Sequence, residues 1–161
     1  MTLQNKFIND YRKLAALLES GAAFTAFDTE TTGLDVFHDD ILQIAAVKVR
    51  GGRVVDGSAF SVYLQTDREI PRMLGDVVNP IVEERQRHEL LSPAEALRRF
   101  VKYAEGGLLL GHNADYDYHI LDYNLRRHLP DYRLAEHHPA YFDSLKLARL
   151  LAPGLPSYKL K

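Results

Sequence analysis

Two carboxylates, Asp28 and Glu30, come directly after a short apolar stretch of the chain. Residues 22–27 carry Phe and Thr and no charge, which is typical of a buried β-strand. Alternate residues of a strand point to the same face, so both carboxylates are predicted to lie side by side where the strand leaves the core. Like charges so close repel and shift each other's pKa, and a hard divalent cation such as Mg2+ relieves that repulsion. The sequence therefore predicts a metal site at the end of a core strand.

Length and composition limit the class of protein. A chain of 161 residues is enough for one domain, and we expect a single domain over 1–161. The net charge of -2 neither supports nor excludes a nucleic-acid substrate, because bound cations supply local positive charge. No run of 18 apolar residues and no signal-peptide core is present, so we expect no membrane span and a cytoplasmic location. The absence of cysteine excludes disulfides and thiolate metal sites.

The hydrophobic pattern predicts an α/β domain with a mixed sheet. Strands near residues 23–28, 41–49 and 54–64 should form a meander, with Gly51-Gly52 as the hairpin turn between the last two. A short buried strand is expected at 108–110. The polar segment 66–89 has no clear pattern.

Helices are predicted between and around these strands. Residues Ser92-Pro93-Ala94-Glu95 form a capping box, and Gly106-Gly107 ends the helix that it opens. Apolar residues at helical spacing predict further helices over 5–19, within an N-terminal segment 1–21, and over 114–128 and 144–151. A loop rich in His and Pro precedes the last helix.

A second polar cluster, Gly111 to Asp117, follows the 108–110 strand and opens a helix. Asp115 and Asp117 lie about 200° apart around a helix, at about 100° per residue, so only one can face a common site. Helix capping by Asn113, with an aspartate favoured by the helix dipole, would also explain the cluster. Alternatively, carboxylates that follow two core strands converge at one end of the sheet.

Residues 27–33 together with 112–117 resemble the first two motifs of the DEDD exonucleases, in their DEDDh form. This family includes the proofreading epsilon subunit of bacterial DNA polymerase III and ribonuclease T. The stretches 142–149 and 157–160 are also similar to the family, so the resemblance covers roughly residues 22–161. It implies a ribonuclease H-like, three-layer fold and 3'-to-5' removal of nucleoside 5'-monophosphates from nucleic acid.

The resemblance also implies catalytic and metal-binding roles. Asp28 would bridge two divalent cations, Mg2+ or Mn2+, and Glu30 would bind one of them. Asp117 matches the third acidic residue better than Asp115 does. One ion would activate the attacking water, and both would stabilise the charge that develops on the scissile phosphate.

Substrate-binding positions are implied in the same way. Thr31, Gly33 and Leu34 would contact the terminal nucleotide, and His112 and Asn113 would shape the pocket. The implied partners are the 3' end of single-stranded DNA or RNA and a DNA polymerase subunit. Asp143 matches a familial Asp that is not a metal ligand, and capping of the following helix explains it.

The chain departs from the family at two places. The family's last motif, a general-base His followed five residues later by an Asp, has no counterpart before Lys161, and His137 and His138 are expected to be solvated loop residues. We therefore expect the end of the domain to be missing and activity to be lost or greatly reduced, since a positioned base contributes about 10^2- to 10^4-fold. Near Asn79-Pro80, relatives often have a His-Gly pair that touches substrate.

Two other functions stay open. One is a degenerate module that binds nucleic acid or docks on a polymerase. The other is a phosphatase with an aspartyl nucleophile, although such enzymes require a second Asp where Glu30 stands. Basic residues interspersed with acidic ones are expected to form a solvated surface rather than a phosphate site; they are Arg85, Arg87, Arg98, Arg99, Lys102, Arg126 and Arg127.

Overall fold

A computed structural model describes residues 11–160 of the chain. Its strands, numbered in chain order, are β1 (Ala23–Thr31), β2 (Ile41–Arg50), β3 (Arg53–Val54), β4 (Phe60–Leu64), β5 (Met73–Leu74), β6 (Val77–Val78), β7 (Leu90–Leu91), β8 (Leu108–Gly111) and β9 (Tyr141–Asp143). Its helices are α1 (Tyr11–Glu19), α2 (Pro80–Glu84), α3 (Pro93–Ala104), α4 (Asp115–His128), α5 (Leu134–His137) and α6 (Ser144–Leu151). Within the described part of the chain, none of the helices is long and apolar enough to cross a membrane.

The main sheet is seven-stranded and mixed, with the order β7-β4-β2-β1-β8-β9 and β3 paired to β2. The strands β1, β2 and β4 form the predicted antiparallel meander. The strands β8 and β9 extend it in parallel on the other side of β1. The predicted α/β architecture with a mixed sheet is thus confirmed.

The core lies between one face of this sheet and the helices α3 and α4. The ring of Phe27 on β1 packs against Phe100 on α3, with centroids 5.7 Å apart, and Leu121 on α4 is fully buried in the same cluster. Because strand residues alternate, the burial of Phe27 turns Asp28 and Glu30 to the opposite face. Core packing therefore decides on which face the two carboxylates lie.

The predicted helices after residue 90 occur with nearly the predicted bounds. The side chain of Ser92 accepts a hydrogen bond from the backbone of Glu95 and caps α3. Residues 11–19 of the predicted 5–19 helix form α1, and residues 5–10 lie outside the described residues.

Two predicted strands have different bounds. The strand β1 runs to Thr31, so Asp28 and Glu30 lie within it, because pairing with β2 continues to Ile41. The single strand expected over 54–64 is divided into β3 and β4. Gly57 lies in the interruption with a positive φ of 72°, and pairing with β2 resumes at Phe60.

Short elements occupy the regions without a clear pattern. The segment 66–89 contains the β5–β6 hairpin and α2, and the His- and Pro-rich loop contains α5 and β9. Two- and three-residue strands are too short for a periodic signal. The strands β7 and β9 add to the open edges of β4 and β8, whereas β5 and β6 pair only with each other.

Two side chains predicted to be solvated are buried instead. Arg85 is 7% exposed, and its guanidinium donates to the carbonyl oxygens of Leu42 and Leu64. His138 is 6% exposed, and burial lowers the pKa of its imidazole because the charged form loses hydration. The prediction of solvated histidines is therefore wrong for His138, while His137 is exposed.

Candidate active site

Antiparallel pairing with β2 positions the two carboxylates of β1. Asp28 lies opposite Ala45 and Glu30 opposite Gln43, and both side chains are exposed on one face of the sheet. The pKa of Asp28 is raised by loss of solvation, which outweighs the lowering effects of the Thr29 amide and of His112. The pKa of Glu30 is raised by loss of solvation and by the charge of Asp28. The charge of Asp28 thus destabilises the charged form of Glu30.

Asp117 reaches the same region from the first turn of α4. Its Oδ1 accepts hydrogen bonds from the Thr29 backbone N–H at 2.9 Å and from the Thr29 hydroxyl at 2.6 Å. The side chain is buried, and this burial raises its pKa to about 6. The Thr29 hydroxyl opposes the shift, and the charge of Asp28 adds to it. A residue 88 positions away is therefore tied to the strand that carries Asp28 and Glu30.

Asp115 faces a different part of the molecule. Its Oδ2 accepts a hydrogen bond from Lys146 Nζ at 2.7 Å, and its Oδ1 accepts one from the Tyr141 hydroxyl. Burial acts to raise its pKa, but these hydrogen bonds outweigh it and the pKa is lowered. As the helical spacing predicted, the two aspartates point to different partners.

The turn between β8 and α4 is held by the last helix and the C-terminal segment. The N-cap of α4 is Ala114, and Asn113 has a positive φ of 64°, so the interpretation of Asn113 as the cap is wrong. The backbone N–H of Asn113 donates to Asp143 Oδ1 at 2.9 Å. The same oxygen accepts from Leu145 N at 2.9 Å, which confirms Asp143 as the cap of α6.

His112 is held on both sides of its ring. Its Nδ1 lies 2.9 Å from Ser144 Oγ, and its Nε2 lies 2.8 Å from the carbonyl oxygen of Tyr158. Both ring nitrogens are thus occupied within the chain. This arrangement places a polar side chain beside Asp28 without leaving a free nitrogen for proton transfer.

The loop after β1 is tied to α4 by a tyrosine that sequence reasoning did not single out. The Tyr116 hydroxyl donates to the carbonyl oxygen of Gly33 and lies 2.8 Å from Thr31 Oγ1. Thr31 Oγ1 donates to the same carbonyl oxygen at 2.7 Å. Next to these hydrogen bonds, the side chain of Leu34 is 89% exposed. The predicted nucleotide-contact residues therefore lie together at the end of β1, with one apolar side chain directed into solvent.

Asn79, at the second departure from the family, has a structural role. Its side chain caps α2 by accepting from Ile81 N at 3.3 Å and donates to the carbonyl oxygen of Pro71 at 2.8 Å. It is 3% exposed, so it offers no polar group to a substrate.

The donor chemistry of Asp28, Glu30 and Asp117 fits a hard divalent cation, since all three offer carboxylate oxygens and have raised pKa values. Positive charge would relieve both the lost solvation and the mutual repulsion. Among residues 11–160, no three His, Asp or Glu side chains converge closely enough to form a complete metal site. Coordination by all three would therefore require the exposed side chains of Asp28 and Glu30 to turn toward Asp117.

The meander β1-β2-β4, extended in parallel by β8 and β9 and packed against helices, defines a ribonuclease H-like α/β domain, as the resemblance implied. The zinc-bound complex of E. coli exonuclease I with single-stranded DNA has the same fold. Its TM-score is 0.65 at 19% identity, over 84% of this chain and 31% of that chain.

Residues 25–161 match a family model described as Exonuclease, and the chain belongs to this exonuclease family. The PolC-type DNA polymerase III of Thermotoga maritima is 32% identical over 86% of the chain. A DNA polymerase III epsilon-like protein of Rhodobacter capsulatus is 41% identical over 61% of the chain. The chain spans only 10% and 14% of the lengths of these two relatives.

Proposed function

We propose that this chain is a 3'-to-5' exonuclease domain that releases nucleoside 5'-monophosphates with the help of two divalent cations. The observation that carries the proposal is the attachment of Asp117 to Thr29, between Asp28 and Glu30, in a member of the exonuclease family. It draws a third carboxylate toward two that already share one face of β1. Three carboxylates with raised pKa values are a costly arrangement unless positive charge is supplied.

In this proposal Asp28, Glu30 and Asp117 hold Mg2+ or Mn2+, and Thr29 orients Asp117. When bound, such cations stabilise the charge that develops on a scissile phosphate. Thr31 and the backbone of Gly33 position the terminal nucleotide, and exposed Leu34 packs against its base. His112 and Asn113 shape the opposite side of the pocket. His112 acts by position rather than as a base, because both of its ring nitrogens are engaged.

The names of related proteins support the choice of substrate and partner. The structurally similar exonuclease I was solved with single-stranded DNA, and the sequence relatives are DNA polymerase III proteins. We therefore propose the 3' end of single-stranded DNA or RNA as substrate and a DNA polymerase subunit as partner. A cytoplasmic location is part of the same proposal.

A 5'-labelled single strand tests the activity. Incubation with Mn2+ should give products shortened from the 3' end, and EDTA should stop the reaction. The variant Asp28→Ala should abolish shortening. Asp115→Asn is the matched control, since Asp115 lies on the same helix turn as Asp117 but pairs with Lys146. Calorimetric titration with Mn2+ tests the cation site independently, and binding should be lost in Asp28→Ala and kept in Asp115→Asn.

The loss of activity expected because the last family motif has no counterpart stays a prediction. An inactive chain would therefore not by itself contradict the proposal. The test is therefore repeated with the chain extended by any residues encoded after Lys161. Strand binding without shortening in both forms would contradict the proposal and favour the degenerate module. Covalent labelling of Asp28 by beryllium fluoride would favour the phosphatase.

A further inference from the structure

A pocket of about 570 Å3 lies where the β8–α4 turn meets α6 and the segment 157–160. Its lining includes His112, Asn113, Arg149, Tyr158 and Lys159, and we call it the cationic pocket. It lies past the end of β8, on the side of β1 away from β2. None of its lining residues is Asp or Glu.

The two positively charged side chains of this pocket, Arg149 and Lys159, have no anionic partner among the described residues. Within residues 11–160, neither Arg149 nor Lys159 forms an ion pair. Other exposed arginines do form ion pairs, such as Arg126 with Asp122 at 2.8 Å and Arg127 with Asp40 at 2.7 Å. The guanidinium of Arg149 lies over the ring of Tyr158, 5.8 Å from its centroid, a contact that restrains the group without neutralising it. Among the described residues, the positive charge of this pocket is therefore not compensated by an ion pair.

His112 connects this pocket to the carboxylates. It lines the cationic pocket and also a neighbouring depression of about 600 Å3 that contains Asp28. The His112 ring separates the two depressions. Hydrogen bonds to Ser144 and to the Tyr158 carbonyl oxygen hold both of its nitrogens, so its orientation is fixed. An extended polyanion that passes Asp28 would reach Arg149 and Lys159 on the far side of His112.

We propose that Arg149 and Lys159 bind a phosphodiester group of the single strand, on the 5' side of the linkage to be cut. This inference rests on the proposed function and names the residues that hold the strand. The terminal nucleotide is assigned to Thr31 and Leu34, at the end of β1 and just past it. The rest of the nucleic-acid strand then continues over Asp28 toward β8. Positive charge on that path offsets the repulsion between the acidic site and the polyanion.

Strand binding by the intact 161-residue chain tests this site. The Kd for a short 5'-fluorescein oligothymidylate and for the matching oligouridylate is measured by fluorescence anisotropy in EDTA, at several salt concentrations. The double variant Arg149→Gln/Lys159→Gln should bind both strands roughly tenfold more weakly, within the range for two exposed ion pairs. The slope of log K against log salt should become shallower by about 0.7, because the two side chains share one phosphate and each lost phosphate contact on a single strand removes about 0.7.

The matched control is the double variant Arg98→Gln/Lys102→Gln. Both residues are exposed on α3. The helix α3 leads into the start of β8, whereas the cationic pocket lies at the end of β8. This control has the same change in net charge and should keep the Kd and the salt slope of the parent. Circular dichroism and thermal unfolding verify that all variants are folded.

Each outcome decides the question. An unchanged Kd and slope in Arg149→Gln/Lys159→Gln, or no strand binding by the parent, overturns the assignment. An equal loss in the Arg98→Gln/Lys102→Gln control overturns it too, since net charge alone would then be responsible. A loss with only one of the two strands also contradicts a phosphate contact. Hydrolysis is read separately. Weakened binding in the variant keeps this site even if neither this chain nor the form extended past Lys161 shortens the strand, a result that would remove the proposed exonuclease.

Discussion

Thr29 donates two hydrogen bonds to one oxygen of Asp117, from its backbone N–H at 2.9 Å and from its hydroxyl at 2.6 Å. It stands between Asp28 and Glu30, and by strand alternation its side chain points to the other face of β1. The third carboxylate of the site is therefore attached to the same strand as the first two. The position of α4 relative to β1 sets where that carboxylate lies.

Replacement of Thr29 by Val removes the hydroxyl donor and keeps the backbone one. Hydrogen bonds that orient a metal ligand are worth about 10- to 100-fold in affinity or activity, and we expect a loss of that size in Mn2+ affinity by calorimetry. Thr29→Ser keeps the hydroxyl and should stay within about threefold of the parent, well short of that range. Equal affinities for the Val and Ser variants would show that Thr29 does not orient Asp117.

Asp117 should make stability depend on pH in the metal-free protein. Its pKa is raised from 3.8 to about 6, so between these values the folded state holds a proton that the unfolded state has released. The contribution of Asp117 to the free energy of unfolding therefore falls as pH rises through this window, by up to about 3 kcal/mol. Above the window, Asp117 causes no further change. Asp117→Asn removes the charge and keeps an acceptor for Thr29.

Urea unfolding in EDTA measures this effect. Parent and Asp117→Asn should have similar stability at pH 4, and the variant should be the more stable one at pH 8. Asp28 and Glu30 also have raised pKa values, but they are present in both proteins and their direct contributions cancel. A variant that is less stable than the parent at pH 8 would refute the raised pKa. Added Mn2+ should stabilise the parent at pH 8 more than the variant, by ligand linkage.

Gly111 allows α4 to start close against β8 and β1. A Cβ at this position would lie 2.7 Å from the Ala114 Cβ and 3.4 Å from the Phe27 carbonyl oxygen. Gly111→Ala should therefore destabilise the fold by about 1–3 kcal/mol and, by shifting Asp117 away from Thr29, weaken Mn2+ binding.

Gly57→Ala serves as the control for this effect. Gly57 has a φ of 72°, and nothing lies within 4 Å of its would-be Cβ, so strain alone should destabilise this variant, by about 1–2 kcal/mol. Its Mn2+ affinity should equal that of the parent. Equal losses of affinity in both glycine variants would mean that lower stability, and not displacement of α4, weakens the site.

Arg85 stabilises the ends of β2 and β4 through the carbonyl oxygens of Leu42 and Leu64. Arg85→Met removes a donor from these buried acceptors and should lower the free energy of unfolding by about 1–3 kcal/mol. Arg87→Met is the control, because Arg87 is exposed and its ion pair with Glu83, at 3.7 Å, is exposed as well. Its effect should stay below about 0.5 kcal/mol. Equal effects in urea unfolding would contradict the buried role of Arg85.

Local signals account for the elements that were predicted well. The capping of α3 by Ser92 and of α6 by Asp143 involves residues two or three positions apart, so the sequence displays it directly. The opposite orientations of Asp115 and Asp117 follow from the helical period alone. By contrast, β7 and β9 are too short to leave a pattern, and they exist because β4 and β8 present open edges to them.

Sequence alone determined that Asp28 and Glu30 share one face of a strand and that the chain resembles an exonuclease, because alternation and motif spacing need only neighbouring residues. Only the tertiary structure decided that Asp117 binds Thr29, that Arg85 and His138 are buried, and that Arg149 and Lys159 line one pocket beside His112. These relationships join residues far apart along the chain. They depend on how helices pack on the sheet and on which edges its strands leave open, and no local pattern encodes that packing.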